Sequence, residues 1–553
     1  MAAPGPPVRA VAQGLRFGLY DAGQFRLTDG HCGDCAAPRQ ALWYFEQETI
    51  AAPLPGLPSP AIQPGLRAAD DVRAWTATLP DGDPGTAASG YPPLVWVAAP
   101  HVAAGARLAA AAATVEFADG STAAMTLHPR IALNRSWFDA TSAAFFAPRT
   151  TRLRGTFAAG TFTVRTPWPE DFRLDPAAPI DALDAAAPPP LALRALTRAL
   201  PRGGAEGPFA AHRLWQRPAA ATSAGTGPAG QGDPAAPIPA GRAVLGFIVN
   251  GAQGDDDEAH GGHFALVTGR TRADGAIGDW LVNNFYSLDV ESEKGILAAP
   301  VPLDNYLADL NSGQGWYRPS YMLVAVLADD RAAALVQGAL NRVYNQFYRH
   351  QLAYRHGTMN CAGISVDVLR ALGWNVPARG ATSRLAAVLG FPYFLASGRS
   401  VEKAKTAFDY MYEDQTRLLP EAAFEMAGAD LLGLAGAVAR EWPPRGDGAL
   451  ARMLAADVEA IAFLRFPQFP SSRSFGTAAA ATTWEYRALV PSDPAEAQIV
   501  PVPARPFPAA LRDPDLLPVP RRASDIAAVA WCLVAFGGLP WLAWRLWRRF
   551  TGR

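Results

Sequence analysis

Gly261-Gly262-His263-Phe264-Ala265-Leu266-Val267-Thr268 and Asn360-Cys361-Ala362-Gly363-Ile364-Ser365-Val366-Asp367-Val368-Leu369-Arg370-Ala371-Leu372-Gly373 are the two stretches on which the fold turns. The first is a short apolar run opened by a histidine and reads as a strand. The second repeats apolar residues at Ile364, Val368 and Leu372, with Val366 and Leu369 beside them, and reads as a helix that Gly373 ends. Cys361 then lies at the helix start. There the unsatisfied N–H groups and the positive end of the helix dipole stabilise a thiolate, and first-turn N–H groups can donate to an oxyanion.

A thiolate also needs a base that later protonates the leaving group, and histidine is the usual one. His263 is the candidate, with two glycines before it that allow close approach of substrate or backbone. His260 is the alternative, but it sits in a loop. The base in turn needs a polar orienter. The neighbouring strands are read at Ala243–Val249, Asp279–Ser287 and Tyr321–Leu327, followed by a helix from Arg331 to about Tyr354. If the turn after the histidine strand centres between Arg272 and Asp274, Asn284 stands almost opposite His263 and shares its face. A slip of one residue brings Asn283 there instead.

A histidine opening a strand, a polar residue on the next strand and a later Asn360-Cys361 at a helix start together resemble the permuted branch of NlpC-type papain-like proteins, which includes proteins related to lecithin:retinol acyltransferase. The resemblance covers about residues 241–375. It implies hydrolysis or transfer at an amide, ester or thioester through an acyl-enzyme. Cys361 matches the nucleophile, His263 the base and Asn284 the third polar position. The tyrosine-bearing stretch with Tyr344, Tyr348 and Tyr354 departs from that pattern. No cofactor and no metal are expected.

The 553 residues are too many for one ordinary core, so two or three domains are expected. Charges nearly cancel, 49 basic against 50 acidic, which leaves no electrostatic footprint for nucleic acid. Residues 1–178 read as a β-rich module, with alternation at Ala113–Ala118 and a turn at Asp119-Gly120. Residues 179–240 have Pro/Ala/Gly-rich linker composition, 241–400 hold the papain-like domain, and 401–487 are helical in pattern, including Asp430–Arg440 and Ala449–Phe463. A proline-rich stalk, 488–525, leads to Ile526–Trp544, an uncharged run whose length as a helix, about 28 Å, suits a bilayer. Residues 545–553 form a basic tail. The expected fold class is therefore α+β: a papain-like cysteine-hydrolase domain with a preceding β-rich module and a single C-terminal transmembrane helix.

Arginines in the tail lean toward an exported body facing away from the cytoplasm, and Met1–Tyr20 lacks the apolar run of a signal peptide, which leans the other way. The expected partners are the lipid bilayer, through the C-terminal helix, and a cell-wall peptide or acyl-lipid substrate. Two rival functions stand beside the hydrolase. One is an inactive membrane-anchored binding or assembly protein that keeps the fold. The other is a thiol–disulfide oxidoreductase using Cys32 and Cys35, which with His31 also have partial metal-ligand spacing. Asp255–Glu258 with His260 has the oxygen ligands for a divalent cation, although such a run is usually a solvated loop.

Overall fold

The computed structural model describes residues 19–21, 41–45, 48–51, 68–77, 95–98, 101–103, 114–116, 120–127, 151–176, 187–198, 209–218, 237–251, 261–285, 299–308, 319–348, 352, 354–440, 446, 448–467 and 479–489. Strands β1 (Leu19–Asp21), β2 (Ala41–Phe45), β3 (Glu48–Ala51) and β4 (Val95–Ala98) form one sheet in the order β1-β4-β3-β2. Helix α1 (Ala68–Thr76) lies between β3 and β4 in sequence. Strands β5 (His101–Ala103), β6 (Thr114–Glu116), β7 (Thr122–Leu127), β8 (Thr151–Ala158) and β9 (Thr161–Pro169) form a second sheet in the order β5-β8-β9-β7-β6.

The remainder is organised on a seven-stranded sheet. Helix α2 (Pro189–Arg198) precedes β10 (Ala210–Gln216), β11 (Ala243–Asn250), β12 (His263–Arg270), β13 (Leu281–Asn284) and β14 (Ala299–Pro302). Helix α3 (Leu303–Ala308), β15 (Ser320–Leu327), α4 (Arg331–Tyr348), α5 (Cys361–Ala371), α6 (Arg384–Gly398), α7 (Val401–Tyr412), α8 (Gln415–Leu418), α9 (Pro420–Ala435), α10 (Ala449–Asp457), β16 (Val458–Phe466) and α11 (Thr483–Leu489) follow. The strand order is β10-β16-β15-β11-β12-β13-β14, antiparallel throughout. Residues of linker composition and residues read as helix thus supply two of the seven strands: β10 comes from the first group, and β16 replaces the second half of the helix read at Ala449–Phe463.

The central strands β11 and β15 are buried at every position, which is why they read as unbroken apolar runs and not as alternation. On one face Phe247 meets Phe264, Trp374 and Phe424. Phe424 belongs to α9 and Trp374 follows α5, so this face is covered by helices. Burying each such ring contributes roughly 1.5–3 kcal/mol. On the other face Phe466 meets Phe172 and Phe209, and Trp168 of β9 packs beside Phe172. The five-stranded sheet and the segment after it close that side, and one hydrophobic core runs through both interfaces.

One expectation is corrected here. Among the described residues no helix is long and apolar enough to cross a membrane, so the described structure is α+β and does not support the single C-terminal transmembrane helix of the expected class. That helix is expected from the length and lack of charge of residues 526–544 alone. Residues 526–544 themselves lie outside the described residues, as do His31, Cys32, Cys35, Asp255–Glu258, His260, most of the stalk and the basic tail.

Candidate functional site

Cys361 is the first residue of α5, and Asn360 fixes that start. With φ −97° and ψ −171°, Asn360 is extended, and its Oδ1 accepts the N–H of Gly363 at 2.9 Å. Its Nδ2 donates to the carbonyls of His356 at 3.0 Å and Leu418 at 2.8 Å. The cap is thus tied both to the preceding turn and to α8. Cys361 is buried, 4% exposed, and carries a thiol and not a disulfide.

Two neighbours of Cys361 escaped the sequence reading. The backbone N–H of Cys361 donates to the hydroxyl oxygen of Tyr354 at 3.3 Å, and the ring of His356 meets that of Tyr354 edge-on at 5.4 Å. A tight fold-back, bridged between Arg355 and Met359, brings these residues onto the helix start. The sequence predicts a helix running to about Tyr354, whereas α4 ends at Tyr348. Closeness in sequence to Cys361 was the only available signal, because a five-residue turn has no periodicity.

His263 opens β12 and is 1% exposed. It pairs with Asn250, whose amide donates to Ser320 Oγ at 2.8 Å and accepts from the Tyr306 hydroxyl at 2.6 Å. The rings of His263 and Tyr306 lie 6.3 Å apart. Cross-strand partners share a face, so the pleat directs His263 to the side of Asn250 and Tyr306, and Phe264 to the side of the helices. Helix α5 packs on β12 from the helical side. Its first residue lies toward the His263 end of that strand: Leu418, which holds Asn360, belongs with Leu419 and Ala422 to the cluster against which Tyr486 packs, and a Cβ on Gly261 would meet the Tyr486 ring at 3.4 Å. Cys361 thus stands on the helical side of β12 toward its His263 end, and the His263 side chain is directed to the other side.

The asparagines separate by parity. The ladder pairs Leu266 with Asn283, which puts Asn284 beside Ala265. Asn284 shares the face of His263 but stands two residues along the ladder from direct opposition. The difference arises in the connection. After the turn closed by Gly275 N–H on the Arg272 carbonyl, the chain bridges Ala276 to Arg173 and turns again at Ile277–Trp280 before β13 begins. Asn283 points to the helices, where it exchanges hydrogen bonds with Gln337 at 2.8 and 3.0 Å. Gln337 also accepts from Thr268 at 2.7 Å and donates to Asn341 at 3.0 Å. That amide cluster occupies Asn283 structurally.

Asp409 of α7 reaches the turn before Cys361: a Cβ on Gly357 would lie 2.7 Å from the Asp409 Cβ. Burial raises the Asp409 pKa above the usual aspartate value, with an opposing pull from its hydrogen bond to Lys405. A carboxyl whose pKa is raised by folding stabilises the fold when protonated, and that contribution is lost as pH rises through the folded pKa. Asp409→Asn is therefore expected to raise the melting temperature at neutral pH and to lose that advantage once the pH falls below the ordinary aspartate range. Melting curves across pH check it.

Among the described residues no group of three or more His, Cys, Asp or Glu side chains is arranged to hold a metal ion. A separate cleft, lined by Arg152, Trp168, Glu170 and Asp274 among others, lies against the β12–β13 connection and includes none of the candidate residues. Comparison with protein-family models, with curated proteins and with solved structures returns no match.

Proposed function

We propose that this chain is a cysteine hydrolase or acyltransferase acting on an amide, ester or thioester, with Cys361 as nucleophile and His263 as base. The observation that carries the reading is Cys361 at a capped helix start, packed on the strand that His263 opens. The thiolate attacks the carbonyl carbon, and N–H groups of the first helical turn donate to the oxyanion. The imidazolium gives its proton to the leaving group. Water or a second acceptor then takes the acyl group from sulfur, restoring the thiol. Asn284, on the face of His263, is the candidate orienter. The Tyr354 hydroxyl sits at the Cys361 N–H, the position an oxyanion would share.

A second reading is a binding or assembly protein that keeps the fold without turnover. The pleat favours it, because His263 is directed to Asn250 and Tyr306. Alkylation by iodoacetamide across pH, followed at Cys361 by mass spectrometry, separates the two. The hydrolase reading expects an apparent thiol pKa well below the ordinary value of about 8.5, returning to it in His263→Ala. It also expects a p-nitrophenyl ester to leave its acyl group on Cys361. An ordinary titration with no acylation supports the binding protein. A shift produced by His356→Ala and not by His263→Ala moves the base to His356.

A further inference from the structure

Helix α6, Arg384-Leu385-Ala386-Ala387-Val388-Leu389-Gly390-Phe391-Pro392-Tyr393-Phe394-Leu395-Ala396-Ser397-Gly398, is apolar around its whole circumference. Helices of that kind normally lie in a core. This one does not: only Ala387 is buried, and Leu385, Leu389 and Tyr393 are 71%, 65% and 68% exposed. Helix α7 covers a single side, through Phe391 against Phe408. Two further aromatic rings are exposed: Tyr412, 45% exposed beneath the Arg384 guanidinium, and Trp484, 61% exposed beneath that of Arg487 and following Thr483, whose hydroxyl is 2.7 Å from that of Thr382. Three exposed cations, Arg384, Arg399 and Lys403, border α6 against one exposed carboxylate, Glu402.

We infer that the α6–α7 hairpin docks on an anionic lipid surface, with α6 lying in the plane of the interface. A groove on another protein would cover one stripe of a helix, whereas α6 offers apolar side chains on every side not taken by α7. Lipid is the medium that accommodates that shape, and its acidic headgroups complement the cationic border. Fifteen residues rise about 22 Å, short of a hydrocarbon core of roughly 30 Å, so α6 lies along the surface and does not cross it. Each helix start is capped: Ser383 and Ser400 accept the N–H groups of Ala386 and Lys403. Each capped N–H lowers the penalty of entering the interface. The inference is independent of whether Cys361 is a nucleophile.

Hydrogen–deuterium exchange of the full chain tests it, because exchange is read segment by segment. With phosphatidylcholine vesicles containing phosphatidylglycerol, the amides of α6 are expected to exchange about tenfold more slowly, and less so with phosphatidylcholine alone. The variant Leu385→Glu/Leu389→Glu, altered only at exposed positions, should melt as the parent does and lose that protection. The inference is overturned if α6 exchanges at the same rate with and without vesicles, even where the chain binds them through another segment. It is equally overturned if the same protection grows with protein concentration in the absence of lipid, which would assign the surface to a second copy of the chain.

Discussion

Glu425→Ala is expected to destabilise the fold by about 3–5 kcal/mol, the usual penalty for removing one partner of a buried charged cluster. Glu425 is fully buried on α9. Its carboxylate accepts from Arg194 through both Nε and Nη2, and from Arg379 at 2.6 Å. The hydrogen bond to Glu425 is the main reason the Arg194 pKa is raised, with desolvation opposing it. The guanidinium side chains keep only 19% and 21% exposure, so neither can recover full hydration when the carboxylate is removed. The cluster also joins distant parts of the chain: Arg194 lies on α2, and Arg379 follows α5 and donates to the carbonyl of Ala481 at 2.9 Å. Guanidinium chloride unfolding measures the effect, with Glu425→Gln expected to lose less because the amide still accepts hydrogen bonds. A midpoint within error of the parent for Glu425→Ala would refute a closed, dry cluster.

Gly262→Ala should be the most damaging small substitution near His263. Gly262 has φ +83°, a conformation that any side chain disfavours. A Cβ there would lie 2.5 Å from both the Asn250 carbonyl oxygen and the Ala479 Cβ. Neither is the end of a flexible side chain, so β11 or the 479–481 segment must move. Backbone strain and displacement together are expected to cost about 2–4 kcal/mol and to shift His263 in the same step. Thermal melting reads the first effect. The alkylation profile of Cys361 reads the second, by returning to that of an ordinary thiol. Gly261→Ala is the control: its Cβ would meet the Tyr486 ring at 3.4 Å, an ordinary contact. Equal melting temperatures for the two variants would sink the argument.

What the sequence made legible is local. Asn360 caps α5 through a bond to a residue three positions on, so the start of that helix could be placed without knowing the rest of the fold. The strands at β11, β12 and β15 declared themselves as apolar runs. The change from α10 to β16 at Val458 did not, because pairing with β15 and β10 decides it and the preceding Ala, Leu, Arg and Met residues favour helix. Strand β10 was hidden by the prolines and glycines around it. The position of Asn284 relative to His263 depends on a connection with two successive turns where the sequence predicts one. Tyr354 and His356 reach Cys361 through a turn with no period to detect.

Burial of both faces has one further effect on β13. Where one side of a sheet faces water, a one-residue slip exposes oily side chains and is rejected. Here either parity would hide them, so greasiness alone cannot choose between alignments. The choice falls to the amides of Asn283, Gln337 and Asn341 with the hydroxyl of Thr268, since a slip that brings Val282 opposite Gln337 would strand several dry donors and acceptors at once. Lengthening the 271–280 connection by a residue would accordingly enlarge the loop and leave the alignment of the hairpin as it is.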